Sequence, residues 1–187
     1  MNLIHLRQSL RDQRKKLSAE TVSAASAIIT QKIISLPEFI NAKHIALYFS
    51  NENEIDPADI AHHAQQQNKK IYFPVLENKN LCFCPVDQNT QYVKNQFGIV
   101  EPTYSKKHFF PTEKIDLFLI PLVAFDAQCH RIGRGAGYYD RVLVLRQKNA
   151  TLIGLAYEFQ KVDSIIPQPW DVAMDKTITE KNIYLLA

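Results

Sequence analysis

Residues 116–140, DLFLIPLVAFDAQCHRIGRGAGYYD, decide the predicted fold, because an apolar run, a glycine-rich loop and a helical segment follow one another there. Residues 116–125 are almost all apolar, which is typical of a central strand covered on both faces. Residues 138 to about 147 are predicted to form a helix. A strand followed by a helix is the unit from which parallel sheets are built.

Three further helices are predicted from apolar spacing and from start and stop signals. Residues 3–17 are amphipathic. Ser18 is a suitable N-cap for a second helix, which Pro37 is predicted to end. A third helix is predicted at Asp56-Pro57, with the aspartate as its cap and the proline at its first helical position.

Short β-type runs predict the other strands. They span residues 44–49, 70–75, 81–86 and 151–155. The first two flank a helix, so they are predicted to be parallel, whereas the second and third are predicted to form a hairpin. We predict one α/β domain over residues 1–187. It has three layers, helix, sheet and helix, and the central sheet is mixed but mainly parallel.

Composition and charge narrow the functional classes. The formal net charge of +3 permits a basic pocket for an anionic ligand but not the extended basic surface typical of nucleic-acid binding. Three cysteines are an odd, sparse set that favours a reducing compartment. No apolar run reaches the roughly 20 residues of a membrane-spanning helix. We expect a cytoplasmic monomer that binds small phosphate-bearing molecules, and neither nucleic acid nor a membrane.

The glycine-rich loop carries the strongest functional signal. Three of the five glycines of the chain, Gly133, Gly135 and Gly137, alternate within five residues. Alternating glycines allow a tight turn in which several N–H groups converge on a phosphate, and Arg131, Arg134 and Arg141 can add charge-assisted hydrogen bonds. The spacing matches neither the P-loop nor the dinucleotide-binding fingerprint, so a purely structural turn is the alternative.

Asp140 falls in the first turn of the helix that follows this loop. An acid there is favoured by the helix dipole, so it can be a simple surface residue. Next to a phosphate site it can also bind Mg²⁺, which typically bridges phosphates and carboxylates. The residue pattern leaves both interpretations open.

Motifs along nearly the whole chain resemble those of one family. The most specific are Ile120-Pro121, Ala124-Phe125-Asp126 and RIGRGAGYYDR at 131–141. Weaker matches are Leu6-Arg7, Ser50 with Glu54, Phe97-Gly98-Ile99 with Glu101-Pro102, Gly154 with Gln160, Pro167, Asp171, Asp175 and Thr179-Glu180. This pattern is similar to that of the 5-formyltetrahydrofolate cyclo-ligases, also called methenyltetrahydrofolate synthetases.

The resemblance implies an enzyme with ATP as co-substrate and Mg²⁺ as cofactor. It would convert 5-formyltetrahydrofolate and MgATP into 5,10-methenyltetrahydrofolate, ADP and phosphate. In the family's usual mechanism the formyl oxygen attacks the γ-phosphate, and N10 then closes the ring as phosphate leaves. Phosphoryl transfer of this kind mainly requires positioning and charge neutralisation.

Carried over by position, the resemblance also implies the site residues. Asp140 and Asp171 would hold Mg²⁺, and Arg134 and Tyr139 are the candidate catalytic residues. The implied ATP contacts are Arg7, Arg131, Ile132, Gly133, Arg134, Gly135, Ala136, Gly137, Tyr138 and Tyr139. The implied substrate contacts are Asn51, Glu54, Asp56, Phe97 and Tyr138.

The sequence departs from the family pattern at three positions. Leu3 stands where many members have a lysine, four residues before Arg7. Cys129 stands where a turn glycine is common, and Leu122 where a glycine often follows the strand proline. The absent lysine bears on ATP binding by the N-terminal helix, whereas the other two changes remove no charge or donor that the reaction needs.

Other interpretations of the same residues stay open. Asp56 can be a helix cap, Asp171 a turn residue and Arg7 a solubility charge. An alternative function is a phosphate-ester binding protein, for a sugar phosphate or coenzyme A, on a similar α/β scaffold. An RNA-binding module would suit the basic N-terminal helix but lacks aromatic-rich strand motifs and a strong net charge.

Overall fold

The structure is a computed structural model that describes residues 2–94, 98, 100–103 and 108–186. The α-helices in this part of the chain are α1 (Leu3–Lys15), α2 (Ala19–Ile34), α3 (Pro37–Asn41), α4 (Ala58–Gln66) and α5 (Tyr138–Leu143). The strands are β1 (His44–Ala46), β2 (Lys70–Glu77), β3 (Asn80–Val86), β4 (Tyr92–Lys94), β5 (Val100–Pro102), β6 (Leu117–Pro121), β7 (Ala124–Phe125), β8 (Arg131–Ile132), β9 (Thr151–Leu155), β10 (Lys176–Ile178) and β11 (Ile183–Leu185). None of the helices in the described ranges is long and apolar enough to cross a membrane.

The described residues form a seven-stranded sheet in the order β11-β10-β9-β6-β1-β2-β3. The five inner strands, from β10 to β2, pair in parallel, and the edge strands β11 and β3 pair antiparallel with their neighbours. Strand β6 lies in the middle, as the apolar run predicts, and β2 and β3 form the predicted hairpin. The mixed, mainly parallel sheet predicted from the sequence is therefore confirmed.

Alternate residues of the inner strands point to opposite faces of the sheet, and both faces are buried. Leu117 and Leu119 of β6 belong to a core cluster with side chains of α2, α3 and α4, such as Ile33. Phe118 and Ile120 belong to a second cluster with Val142 and Leu143 of α5. The period of two in β6 thus joins a helix layer on each side of the sheet.

Helix α1 lies outside these two layers. Its Leu10 packs with Val123, Ala124 and Ile132 of the small β7–β8 hairpin. The helix starts at an Asn2 side chain that accepts a hydrogen bond from the Ile4 amide. This position brings the basic residues of α1 over the carboxyl end of β6.

Two predicted helix ends differ from the structure. Ser18 caps α2 as predicted, but α2 ends at Ile34, and Pro37 begins the short helix α3 instead of ending α2. Helix α4 starts one residue later than predicted, with Pro57 at the cap position. The Asp56 carboxylate still accepts a hydrogen bond from the Ala58 amide at 3.0 Å, so its capping role is retained.

Residues 116–140, which decide the fold, also contain more secondary-structure elements than predicted. The apolar run at 116–125 breaks between β6 and β7, and the hairpin strand β8 precedes the glycine loop. Apolar content shows burial but not direction, so it did not reveal the turn. Helix α5 ends at Leu143 instead of near residue 147, and Val144 and Leu145 are exposed.

The structure accounts for two of the residues that depart from the family pattern, Cys129 and Leu122. Cys129 has a φ of 62°, in the left-handed region that favours glycine. Leu122 is buried against Gly154, where an added Cβ would lie 2.5 Å from Leu122 Cδ1 and 3.2 Å from Met174 Cγ. Leu122 therefore occupies space that exists only because residue 154 has no side chain.

We predict that Gly154→Ala lowers the free energy of unfolding by about 1 to 3 kcal/mol, because the new methyl group overpacks a filled space. In a Leu122→Ala background the two closest contacts are gone and the Met174 Cγ contact at 3.2 Å remains, so the cost of the same substitution should be smaller. Chemical denaturation of the four proteins of this double-mutant cycle measures the coupling. Additive effects would contradict the packing described here.

Candidate active site

The candidate site lies at the carboxyl ends of β1, β6 and β9, where open α/β sheets bind ligands. The loops that follow these strands are tied to one another. Tyr157 donates a hydrogen bond to the Asn53 carbonyl at 2.9 Å, and the Gln160 amide donates to the Leu122 carbonyl at 2.7 Å. The site is therefore built on three strand ends fixed by side-chain hydrogen bonds.

The glycine loop connects β8 to α5 through two residues in left-handed conformations. Gly135 has a φ of 100° and Gly137 a φ of 66°. An L-residue is strained in this region, so the loop needs glycine at these positions. Gly133 has no positive φ and nothing within 4 Å of an added Cβ, so neither backbone strain nor packing requires glycine there. The conformation fits the predicted phosphate nest.

Arg7, Arg134 and Arg141 are cations that lie on this loop, and Arg141 donates from Nη1 to the Ala136 carbonyl at 3.0 Å. Arg7 donates from Nε to the Gly133 carbonyl at 2.9 Å, and an added Cβ on Gly135 would lie 3.6 Å from its Cζ. Arg7 is therefore not a solvated charge. Arg134 turns the other way, and its Nη2 lies 3.0 Å from Glu54 Oε1.

Arg131 is buried behind the loop. Its guanidinium donates to the Val172 carbonyl and to Asp140 Oδ1. Burial lowers its pKa, and Asp140 opposes that effect. The pairing fixes the start of α5 against the segment that contains Asp171, and it makes Arg131 a fixed positive charge beneath the loop.

Asp140 and Asp171 are compatible with Mg²⁺ but do not form a complete metal site. Asp140 Oδ1 also accepts from the Val172 amide at 3.3 Å, and Asp171 Oδ2 accepts from the Gln168 amide at 2.8 Å. Among the described residues there is no group of three metal-ligating side chains. Mg²⁺ commonly takes one or two carboxylates together with substrate phosphates and water, so two aspartates beside a phosphate nest fit that ion.

The acidic loop after β1 faces the glycine loop. Glu52 and Asn53 both have positive φ values, 52° and 57°, and Nδ2 of the Asn53 side chain donates to three carbonyls at the end of α1, those of Arg14, Lys15 and Leu17. Glu54 is 5% exposed, and its Oε2 accepts from the Asn51 amide at 3.1 Å. The loop is therefore held by α1 and presents Glu54 to the site.

Sequence reasoning missed Arg14, which is 1% exposed. It donates to the Glu52 carbonyl at 2.9 Å, to the Leu122 carbonyl at 3.3 Å and to Glu54 Oε1 at 3.2 Å. It also missed Glu52, which lies 2.8 Å from Arg11 and 3.0 Å from Lys15. The signal was the spacing of basic residues along one face of α1, which matches the acids of residues 52–54.

The two tyrosines of the loop have different surroundings. Burial, and then the charge of Glu54, raise the pKa of Tyr139 well above its usual value, against the effects of Arg131 and Arg134. Tyr139 is therefore a neutral phenol that can donate a hydrogen bond. Tyr138 lies under Arg141, whose Cζ is 5.1 Å from the centre of its ring.

Two further predicted substrate contacts are Asp56 and Phe97. Asp56 is exposed, its amide donates to the Ser26 hydroxyl, and its carboxylate is used at the start of α4. Phe97 lies outside the described residues. Of the predicted substrate contacts, the structure therefore brings Glu54 and Asn51 into direct hydrogen-bond contact.

Fold and site together define an α/β protein in which a cationic glycine loop faces an acidic loop at the carboxyl ends of parallel strands, where open α/β sheets bind their ligands. The sequence model of the 5-formyltetrahydrofolate cyclo-ligase family matches residues 3–180. The chain belongs to this family, and it is a ligase of folate one-carbon metabolism.

Individual relatives agree with that assignment. The 5-formyltetrahydrofolate cyclo-ligase of Haemophilus influenzae is 36% identical over 90% of this chain and 92% of its own length. The solution structure of the Aquifex aeolicus 5,10-methenyltetrahydrofolate synthetase aligns with a TM-score of 0.87 and 31% identity, covering 100% of this chain and 93% of that one. The Mycoplasma pneumoniae 5,10-methenyltetrahydrofolate synthetase aligns with a TM-score of 0.79 and 30% identity, covering 96% and 99%.

We predict that Gly137→Ala lowers the free energy of unfolding by about 1 to 2 kcal/mol, because alanine is strained at a positive φ. Gly133→Ala is the matched control, and it should change the stability by less than about 0.5 kcal/mol. Urea denaturation of both variants measures the difference. Equal effects would show that the loop does not impose the left-handed conformation at residue 137.

The free energy of unfolding at acid pH should also depend on the titration of the Glu52 carboxyl group. The hydrogen bond from Arg11 lowers the pKa of Glu52 from 4.5 to about 2, with Lys15 and Arg134 acting in the same direction against partial burial. A lowered carboxyl pKa stabilises the fold above the unfolded value and loses that contribution as the pH falls from about 4.5 towards 2.

Glu52→Gln should therefore reduce stability at pH 6 by about 1 to 3 kcal/mol and flatten its decline below pH 4.5. Denaturation curves between pH 3 and 6 measure both effects. Glu113→Gln, at an exposed carboxylate, is the control. If stability declined with falling pH as steeply in Glu52→Gln as in wild type, the lowered pKa of Glu52 would be refuted as its cause.

Proposed function

We propose that this enzyme converts 5-formyltetrahydrofolate and MgATP into 5,10-methenyltetrahydrofolate, ADP and phosphate. Family membership supports the overall conversion. The observation that carries the finer proposal is the contact between Arg134 of the glycine loop and Glu54 of the acidic loop, at 3.0 Å. It supports a site in which a nucleotide and a folate bind side by side.

The ATP phosphates would lie in the glycine loop at residues 131–137. Its left-handed glycines would allow backbone N–H groups to converge on phosphate oxygens. Arg7 and Arg134 are close enough to the loop to add charge-assisted hydrogen bonds. Arg131 would contribute through its charge, because Asp140 and the Val172 carbonyl already occupy its guanidinium.

The folate would lie against the acidic loop. The donor edge of a pterin suits a carboxylate that is fixed in place, and Glu54 is held by the Asn51 backbone amide and by arginines. Tyr138 is available for ring stacking, and Asp56 and Phe97 remain contacts proposed from the family resemblance. The two substrates would meet between Glu54 and Arg134.

The reaction needs charge neutralisation and a polar hydrogen-bond donor. The formyl oxygen forms a bond to the γ-phosphorus as the bond to ADP breaks, giving an N5 iminium phosphate. N10 then attacks the formyl carbon, loses its proton, and expels phosphate as the carbon–oxygen bond breaks. Arg134 would stabilise charge on the transferred phosphoryl group, and Tyr139, kept neutral by burial, would donate a hydrogen bond to it.

Asp140 and Asp171 would hold Mg²⁺, which would neutralise phosphate charge. The salt bridge to Arg131 orients Asp140 at the first turn of α5. Val172, the residue after Asp171, bonds to both Arg131 and Asp140, so the two proposed ligands belong to one fixed cluster. A cytoplasmic location and a monomeric state remain predictions.

The test is direct. The purified protein is mixed with MgATP and 5-formyltetrahydrofolate, and the near-ultraviolet absorbance of the methenyl product is followed together with phosphate release. We expect one phosphate released for each methenyl group formed. Product formation without ATP, or no product with ATP left intact, would refute the proposal.

We predict that Arg134→Ala lowers kcat/KM by about 100-fold or more, because a group that neutralises developing charge typically contributes that much. Cys82→Ala is the matched control and should keep normal turnover, since Cys82 lies on β3, apart from both loops. The methenyl absorbance assay measures both variants. Full activity in Arg134→Ala would rule out its catalytic role.

A further inference from the structure

Glu54 carries two arginines on one carboxylate oxygen. Oε1 lies 3.2 Å from Nη2 of Arg14 and 3.0 Å from Nη2 of Arg134. The first arginine comes from α1 and the second from the glycine loop, so one oxygen connects the two sides of the proposed site. The two guanidinium groups repel each other, which makes the shared arrangement less favourable than either pair alone.

The Arg14 side chain is fixed. It is 1% exposed, and each of its three guanidinium nitrogens has an acceptor: the carbonyls of Glu52 and Leu122 and the carboxylate of Glu54. Burial lowers its pKa, and Glu54 opposes that effect. A buried cation that lost these acceptors would be strongly destabilised, so Arg14 stays with Glu54.

The Arg134 side chain is less confined than that of Arg14, so it can leave Glu54 for another partner. It is 35% exposed, and it lies between glycines in an open loop. Its other carboxylate neighbour, Glu52 Oε2 at 3.6 Å, already has Arg11 and Lys15 at hydrogen-bond distance. If Arg134 moves away, both carboxylates therefore keep a partner.

We propose that Arg14 is a positioning residue that keeps the Glu54 carboxylate in place, while Arg134 exchanges from Glu54 to the ATP phosphates and so frees Glu54 for the folate. This inference rests on the proposed function. The phosphates compete for Arg134 with a stronger, multivalent charge. Binding of ATP then exposes an acceptor on Glu54, and by linkage the folate favours ATP binding to the same extent.

The experiment compares folate binding with and without nucleotide. Wild type is first shown to make the methenyl product, because failure there concerns the proposed function and not this inference. The Kd of 5-formyltetrahydrofolate is then measured by calorimetry, alone and with a saturating concentration of Mg²⁺ and the non-hydrolysable analogue adenylyl imidodiphosphate. We expect the analogue to tighten folate binding about tenfold in wild type.

Arg134→Gln should abolish this coupling. Because Glu54 is no longer shared, the variant should bind folate without nucleotide more tightly than wild type does. Saturating analogue, at whatever concentration the variant requires, should then change the folate Kd less than about twofold. Coupling of wild-type size in this variant, or no coupling in wild type, would overturn the exchange.

Arg14 is tested by its own pair of variants. Arg14→Met should raise the folate Kd about tenfold or more, in the presence and absence of analogue, with a much smaller change in the Kd of the analogue. Arg14→Lys should recover part of the folate affinity, since it restores the charge. Arg11→Met, on the same helix but paired with Glu52, is the control and should leave folate affinity unchanged.

Thermal melts distinguish positioning from simple loss of structure. If Arg14→Met does not fold, Arg14→Lys carries the test, because it keeps a cation at the buried position. Equal weakening of folate and analogue binding by the Arg14 variant that folds, or equal effects of the Arg11 and Arg14 substitutions, would overturn the positioning role.

Discussion

The buried guanidinium of Arg14 is the constraint on which the site depends. A cation at 1% exposure is tolerated only with acceptors in place, and these acceptors come from the acidic loop and from Leu122 at the end of β6. Helix α1, the loop after β1 and the end of β6 must therefore assemble together. Since α1 also carries Arg7, the same requirement brings a second cation to the glycine loop.

The fold was largely predictable because its signals are local. The apolar run at 117–121 identifies the central strand, and the Ser18 cap identifies the start of α2. The turn at Leu122 was not predictable, since an apolar run reports burial and not direction. Leu145 is 61% exposed, so an apolar residue after α5 did not signal that the helix continues.

The site was predictable only in part, and for a physical reason. The glycine spacing predicts a nest because left-handed conformations depend on residues close together in the chain. The role of Arg14 depends on Glu54, forty residues later, so the periodicity of α1 could not show that Arg14, among its basic residues, is the buried one. The contact of Arg134 with Glu54 likewise joins residues eighty positions apart.

The two unusual residues near the site show how the chain adapts to a fixed backbone. Cys129 takes a left-handed φ that a glycine would adopt more easily, and Leu122 fills the space beside Gly154. Neither residue contributes a charge to the site. These departures therefore affect packing and strain, whereas Leu3 affects electrostatics.

The absence of a lysine at position 3 bears on the contact between Arg134 and Glu54. Leu3 is 45% exposed and lies one helical turn before Arg7, so a lysine there would share the face of α1 that carries Arg7. Without that lysine, the cations on the loop are Arg7, bonded to the Gly133 carbonyl, Arg141, bonded to the Ala136 carbonyl, and Arg134, paired with Glu54. In the proposed function, a larger share of the phosphate attraction would then fall on these three arginines. The absence of one charge at position 3 would thus make nucleotide binding more dependent on side chains that are already bonded within the site.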